Sequence, residues 1–155
     1  MDMTKPDAFF TAFMQFWRQF TNPFTGRSVP AFQTGYAWVP QAGGNWQPPQ
    51  SFPYIVYDIA KPGFAQNVLI TATVWDRQSG AGGAPGMPGF FPVVNAILDQ
   101  ISEAIPIEAG AWLDLIGDNG AIWLQRGSPW VMFPPGDERD PTIVRGVVNI
   151  AARGY

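Results

Sequence analysis

The residues that could carry chemistry in this sequence are limited to carboxylates, hydroxyls, lysines and arginines. Histidine and cysteine are both absent from the 155 residues. Their absence excludes thiol nucleophiles, a Ser-His-Asp arrangement, the usual zinc ligands and the usual near-neutral general base. The 12 Asp and Glu side chains are sparse, and no two of them are placed convincingly for general acid and base catalysis. The sequence therefore predicts a protein that is not an enzyme.

Two candidate ligand sites fail on the spacing of their residues. Gly80 and Gly82 match the first two glycines of a dinucleotide-binding turn, but Pro85 occupies the third position, where a helix should pack closely on a strand. Asp114 and Asp118 lack the regular spacing and the terminal Glu of a calcium loop. We therefore predict no cofactor and no metal, and turn chemistry explains the two aspartates more simply.

Arginines near strand ends are the remaining polar candidates. We interpret Arg77, Arg126 and Arg145 as residues that form ion pairs at an interface. Their candidate partners are Asp76, Asp137, Glu138 and Asp140. A set of solvated strand-end charges is the alternative, because exposed ion pairs contribute only about 0 to 1 kcal/mol and need no partner.

A loop from Gly127 to Asp140 is predicted to carry an apolar tip beside a run of mixed charges. Such a loop is typical of a protein-docking element, and the alternative is a cap folded over the sheet. The complete candidate interface consists of Trp75, Arg77, Arg126, Trp130, Met132, Phe133, Asp137, Glu138, Arg139, Asp140 and Arg145.

The element expected to organise the fold is an antiparallel hairpin over Pro53–Trp75. Its residues are mostly β-branched or aromatic, and Lys61-Pro62-Gly63 supplies the turn between the strands. In the second strand the residues alternate between a fully apolar face and a mixed face. The apolar set is Val68, Ile70, Ala72 and Val74, and the mixed set is Leu69, Thr71, Thr73 and Trp75.

Helical periodicity predicts two amphipathic helices. The first starts near Pro6, ends before Asn22 and has an unusually aromatic face, which we expect to pack on the sheet rather than on a membrane or partner. That face contains Phe9, Phe13, Phe16, Trp17 and Phe20. The second helix ends at Pro106, and its apolar stripe contains Phe91, Val94, Leu98, Ile101 and Ile105.

The remaining strands complete an α+β fold. Leu113–Ile116 and Ala121–Gln125 form a second hairpin, Thr142–Arg153 is the last strand, and Tyr36–Val39 is a candidate edge strand. We expect a mainly antiparallel β-sheet of about four or five strands with two helices packed on one face. The chain is expected to form a single domain, with a Pro/Gly-rich arm at 21–51 and loops at 78–89 and 127–141.

The composition favours a subunit that covers its surface with neighbours. Only 14% of the residues are charged, 15% are aromatic, and the net charge is −3. A lone monomer with so few charges would tend to aggregate. The acidic balance argues against binding nucleic acid through its phosphates, and no stretch is long and apolar enough to span a bilayer.

Four short segments give the sequence a familiar order. They are Pro53-Tyr54-Ile55-x-Tyr57; Thr71-Ala72-x-Val74-Trp75-x-Arg77; Gly120-Ala121-Ile122-Trp123-Leu124-x-Arg126-Gly127-Ser128-Pro129; and Ile143-x-Arg145-x-x-Val148-Asn149-Ile150. In order and spacing these segments resemble a family of small phage tail terminator proteins, also called tail-completion or neck proteins. The resemblance runs from about Phe52 to the C-terminus.

This resemblance implies a non-enzymatic structural protein of the virion tail, assembled in the host cytoplasm. It implies a ring, a homohexamer, that ends polymerisation of the tail tube and provides the surface for head-tail joining. The implied partners are further copies of the chain, the tail tube protein, the head connector or stopper protein, and genomic DNA that passes through the lumen without specific binding. The alternatives are another neck or connector component, a tail-tube subunit, or a small-molecule binding domain that uses Trp38, Trp46 and Trp130.

Overall fold

A computed structural model of the chain describes residues 6–33, 39–40, 46–47, 52–60, 67–77, 91–114, 121–134 and 142–154. Its elements in chain order are α1 (Pro6–Trp17), β1 (Ala31–Gln33), β2 (Val39–Pro40), β3 (Trp46–Gln47), β4 (Tyr54–Ala60), β5 (Asn67–Arg77), α2 (Pro92–Ala104), β6 (Ala111–Asp114), β7 (Ala121–Met132) and β8 (Ile143–Gly154).

The central hairpin forms as the sequence predicts. Strands β4 and β5 pair antiparallel, with a register that runs from Tyr54 opposite Trp75 to Ala60 opposite Leu69. The four residues of the predicted apolar face of β5 are buried, whereas Leu69 on the mixed face is 54% exposed. The alternation in the sequence therefore assigned the two faces correctly. The predicted Lys61-Pro62-Gly63 turn lies outside the described residues.

The expected sheet is wrong in its number of strands and in its type. The chain is mostly sheet: six strands in the order β1-β4-β5-β8-β7-β6 curl into a half-barrel, and only two short helices accompany them. The sheet is mixed, because β1 pairs parallel to β4 while the other neighbours pair antiparallel. A mainly antiparallel sheet of four or five strands with two packed helices is therefore not what forms.

Two local features account for this difference. The parallel strand β1 has only three residues and lies within the Pro/Gly-rich arm, so alternation could not reveal it. Strand β7 continues to Met132, through Gly127-Ser128-Pro129, where the sequence predicted a loop. The register of β7 against β8 shifts between Arg126 and Val131, which marks a bulge. The bulge accommodates a glycine and a proline that would be unfavourable in a regular central strand.

The edge strand predicted at Tyr36–Val39 does not join the main sheet in the described part of the chain. Val39 belongs to β2, which pairs antiparallel with β3 in a separate two-stranded sheet. The described edge strand on this side of the main sheet is β1. The predicted loop at 78–89 and the turn of the second predicted hairpin, between Ile116 and Ala121, fall outside the described residues.

Helix α2 packs on the centre of the sheet. Its buried residues Val94, Ile97, Leu98 and Ile101 belong to the same core as the apolar residues of β5 and β8. The helix lies very close to β8 at Gly146, where an added Cβ would be 2.7 Å from Leu98 Cδ1. A glycine at this position therefore permits the close approach of the helix and the sheet.

Helix α1 closes the space inside the curled sheet. It lies near β6 at one edge, and on the other side its Trp17 ring stacks on Tyr57 of β4, with centroids 5.5 Å apart and planes inclined by 20°. Phe13, Phe16 and Phe20 complete the buried aromatic cluster around Trp17. Phe13, Phe16, Trp17 and Phe20 of the predicted aromatic face are therefore part of the core, whereas the side chain of Phe9 lies outside the described part of the structure. Neither helix in the described ranges combines the length and apolarity that crossing a bilayer requires.

Candidate interaction surface

The face of the sheet opposite the core, which we call the open face, carries most of the described candidate residues. On β5 it presents Leu69, Thr71, Thr73 and Trp75, and the register places Ala151, Asn149, Val147 and Arg145 of β8 opposite them. Leu69 and Thr71 are exposed, whereas Val147 is buried among its neighbours. The open face is thus a mixed polar and apolar surface at the middle of the molecule.

Aromatic rings and arginines meet at one end of the open face, in a group we call the Trp75 cluster. It comprises Phe52, Tyr54, Trp75, Arg77 and Arg145. Trp75 lies opposite both Tyr54 of β4 and Arg145 of β8. The Arg145 guanidinium lies 5.2 Å from the centroid of the Trp75 ring, and that of Arg77 lies 5.4 Å from the Phe52 centroid. Cation–π contacts of this kind hold a guanidinium near the face of an aromatic ring.

A second aromatic pair lies at the other end of the open face. Trp112 and Trp123 are directly opposite each other on β6 and β7, and their rings stack with centroids 6.1 Å apart. Trp123 donates its indole N–H to the Ala109 carbonyl at 3.3 Å, while Trp112 is 58% exposed. Arg153 of β8 lies opposite Trp123. This end therefore repeats the combination of tryptophan and arginine found in the Trp75 cluster.

Side-chain hydrogen bonds connect the strands between these two ends. The Thr71 hydroxyl donates to Asn149 Oδ1 at 3.4 Å, and the Asn149 amide donates to the Pro129 carbonyl at 2.8 Å. These bonds link β5, β8 and β7 on the open face. The centre of the face is consequently a fixed polar surface between two aromatic ends.

Arg126 and Trp130, both predicted to lie at an interface, are occupied within the chain. Arg126 donates to the carbonyls of Ser102 and Ile105, each at 2.7 Å, at the C-terminal end of α2. Its guanidinium lies 4.9 Å from the Trp130 centroid, and the Trp130 indole donates to the Ser102 hydroxyl at 3.1 Å. A cation at a helix C-terminus satisfies carbonyls that have no partner within the helix and opposes the helix dipole. Both residues thus brace α2 against β7, and a contact with another subunit stays a prediction.

Met132 and Phe133 are both partly exposed at the end of β7. Met132 lies opposite Val147 on the open face, and the Phe133 ring contacts Phe91 at the start of α2, with centroids 5.9 Å apart. The structure therefore does not bring them together as one loop tip. The charged run of Asp137, Glu138, Arg139 and Asp140 lies outside the described residues.

Exposed carboxylates lie on both sides of the sheet, with Asp58 opposite Thr71 on the open face and Asp99 and Glu103 on the helix side. Asp99 and Glu103 are exposed on α2, which contains no basic residue, and Glu108 is exposed just after it. Half-buried Asp76 lies at the end of β5, where burial raises the pKa of its carboxyl and a backbone hydrogen bond with Arg77 lowers it to a smaller extent. Arg77, Arg145 and Arg153 of the open face thus lie on the side of the sheet opposite Asp99 and Glu103, which we call the acidic stripe of α2.

One groove with an apolar lining is also described, between α1 and β1. It has a volume of about 380 Å³ and is lined in part by Trp17, Val29 and Phe32. Arg18 is the charged residue in its lining. Within the described ranges no three potential metal ligands lie close together. The groove thus has an apolar character and offers no pair of groups for acid and base catalysis among its lining residues.

Sequence reasoning identified Trp75, Arg77 and Arg145 but missed Phe52, Trp112, Trp123 and Arg153. The missed tryptophan Trp123 alternates with buried Ile122 and Leu124, so its place on the open face was readable from the sequence. Its pairing with Trp112 depends on a register that the sequence does not reveal.

Comparison of the chain with models of protein families and with characterised proteins finds no match. The resemblance to tail terminators therefore rests on the segments quoted from the sequence.

Proposed function

We propose that this chain is a structural subunit of a phage tail, which forms a homohexameric ring at the head-proximal end of the tail tube. The ring ends polymerisation of the tube and provides the surface that joins tail to head. The observation that carries this proposal is the one-sided burial of the sheet: one face packs on the core, while the other presents two aromatic–arginine ends and an exposed Leu69.

Such a face favours assembly with other protein chains. Tryptophan, methionine and arginine are enriched at protein interfaces, and this face holds Trp112, Met132 and three arginines. Rigid aromatic anchors that stack on arginine are typical centres of binding energy. The low charged fraction of the whole chain, 14%, points in the same direction.

The partners of this ring follow from its place in the virion. One end contacts the tail tube protein and the other the head connector or stopper protein, and genomic DNA passes through the lumen without specific binding. The net charge of −3 suits this passage, because a wall that carries negative charge repels phosphate. The ring assembles in the host cytoplasm and then belongs to the virion.

Native mass spectrometry of the chain, alone and with short lengths of tail tube, tests the proposal. We expect a discrete six-subunit ring, either in solution or only at tube ends, and we expect tubes capped in this way to stop growing. Filaments formed by the chain alone would identify a tube subunit instead. A ring that binds the connector but leaves tube growth unchanged would identify a stopper, and a monomer that ignores the tube and binds a small ligand would overturn the proposal.

A further inference from the structure

The acidic stripe of α2 and the arginines of the Trp75 cluster have opposite charges and similar spacing. Asp99 and Glu103 are four residues apart on an exposed helix face, which separates their Cβ atoms by about 6 Å. Arg145 lies opposite Trp75, so Arg77, two residues further along β5, is its diagonal neighbour at about 7 to 8 Å. Two arginine side chains at this spacing can therefore meet two carboxylates at the same time.

These two groups cannot meet within one chain. Helix α2 packs its apolar stripe on the core face of the sheet, so Asp99 and Glu103 point away from the sheet on the helix side. Arg77 and Arg145 extend from the opposite face. A contact between the groups therefore requires a second copy of the chain, and it joins two different surfaces. Contacts of this head-to-tail type generate rings when their rotation closes.

We propose that Asp99 and Glu103 on α2 of one subunit dock on Arg77 and Arg145 of the next subunit. This inference rests on the proposed ring and identifies the surfaces that close it. Cation–π contacts with Phe52 and Trp75 restrict the two arginine side chains, which reduces the side-chain entropy lost when the carboxylates bind. With Asp99 and Glu103 on the Trp75 cluster, the part of α2 before Asp99, about 10 Å long, can lie along β5 towards Leu69.

Charge reversal on each side of the contact tests the proposal. The sheet variant carries R77E and R145E, and the helix variant carries D99R and E103R. We expect each variant alone to need an at least about tenfold higher concentration for assembly, because four like charges then meet at the contact. A variant with R18E and R27E is the control for net charge, since both arginines are exposed, the change in net charge equals that of the sheet variant, and Arg77 and Arg145 stay in place.

Mixing the two variants gives the decisive result. In an alternating ring every contact again joins arginines to carboxylates, so an equimolar mixture of the sheet and helix variants should assemble where neither does alone. A single chain with all four substitutions should likewise assemble. Circular dichroism confirms folding, and the helix variant keeps the test valid if the sheet variant unfolds, because Asp99 and Glu103 are exposed substitution sites.

The outcomes separate this inference from the proposed function. If the unmodified chain forms a ring and both variants do so equally well, the docking contact is wrong and the ring stands. If folded variants fail to assemble even when mixed, the charge pairing is likewise refuted. A chain that stays monomeric with tail tubes present refutes both ideas. Loss of single-stranded DNA binding by the sheet variant, with assembly unchanged, would show that the arginines form a nucleic-acid site instead.

Discussion

Arg126 is recognised from the sequence as a candidate functional residue, but its contacts within the fold are not predicted. The sequence predicts an interfacial ion pair for it, with a solvated strand-end charge as the alternative, whereas the structure shows its guanidinium between the end of α2 and the Trp130 ring. Nothing in the local sequence reveals this role, because Arg126 lies 21 residues beyond Ile105, whose carbonyl it binds. Long-range side-chain partners of this kind depend on the packing of the helix and strand, which periodicity does not define.

Replacing Arg126 should destabilise the fold through the end of α2. We expect Arg126→Ala to lower the free energy of unfolding by about 2 to 3 kcal/mol, because two half-buried carbonyls lose a charged donor. Arg126→Lys should recover only part of this loss, since an ammonium group lacks the planar arrangement of donors that bonds both carbonyls while stacking on Trp130. Urea unfolding measures both values.

The neighbouring exposed residue Gln125 provides the control for Arg126. Gln125→Thr, a substitution suited to a strand, should change the free energy of unfolding by less than about 0.5 kcal/mol. Equal stability of Arg126→Ala and the unmodified chain would show that the brace contributes nothing.

Asp76 gives the chain a pH dependence whose sign follows from its burial. Desolvation raises the pKa of this carboxyl in the folded chain, so folding is disfavoured as pH rises through that raised value and the group becomes charged. Asp76→Asn should therefore raise Tm at pH 7. The difference should disappear below about pH 3.9, the usual aspartate value, where the carboxyl is protonated in both states.

Thermal unfolding from pH 3 to 7 measures the Tm difference, with Asp58→Asn as the control for loss of an exposed carboxylate. A Tm difference independent of pH would contradict the assignment.

At the scale of elements, long regular patterns were predictable and short or irregular ones were not. Both helices, the hairpin of β4 and β5, and the last strand were read correctly, because each has enough residues to show its period. The three-residue β1 and the extension of β7 past Gly127 were missed. In both cases pairing with a neighbouring strand outweighs the local preference of proline and glycine. Those two strands are what turn the expected sheet into a mixed half-barrel.

The contact of α2 with β8 predicts a steric effect at Gly146. A Cβ at this position would lie 2.7 Å from Leu98 Cδ1 and 2.9 Å from Val94 Cγ1. Gly146→Ala should therefore displace the side chains of Leu98 and Val94 in the core and cost about 1 to 3 kcal/mol of stability.

A double-mutant cycle with Leu98→Ala identifies the cause of this cost. Removing the Leu98 side chain vacates the space that the new methyl group needs, so the cost of Gly146→Ala should fall by about 1 kcal/mol or more in that background. Urea unfolding of the four chains gives the coupling. The same cost in both backgrounds would place the strain somewhere other than at this contact.

For the whole molecule, the curled sheet creates two unlike surfaces in one chain. The core face is covered by α1 and α2, and the acidic residues of α2 become the outer surface on that side. The open face keeps its arginines, tryptophans and Leu69. Sequence alternation predicted that the faces differ, but which residues meet across strands required the register. The proposed ring and its docking contact both follow from this asymmetry.

A substitution at Leu69 should weaken assembly of the subunits without changing the stability of the single chain. The Leu69 side chain is 54% exposed in the single chain, so Leu69→Thr, which matches neighbouring Thr71 and Thr73, should change the free energy of unfolding by less than about 0.5 kcal/mol. If α2 of the next subunit covers this part of β5, the same substitution should raise the concentration needed for assembly about fivefold, because less apolar area is buried.

Sedimentation equilibrium measures assembly and urea unfolding measures stability. Met14→Gln, at a 49% exposed position on α1, is the control and should change neither. Unchanged assembly of Leu69→Thr would leave this stretch of β5 in solvent and confine the contact to the Trp75 cluster, whereas a loss of stability would show that Leu69 already packs within the chain.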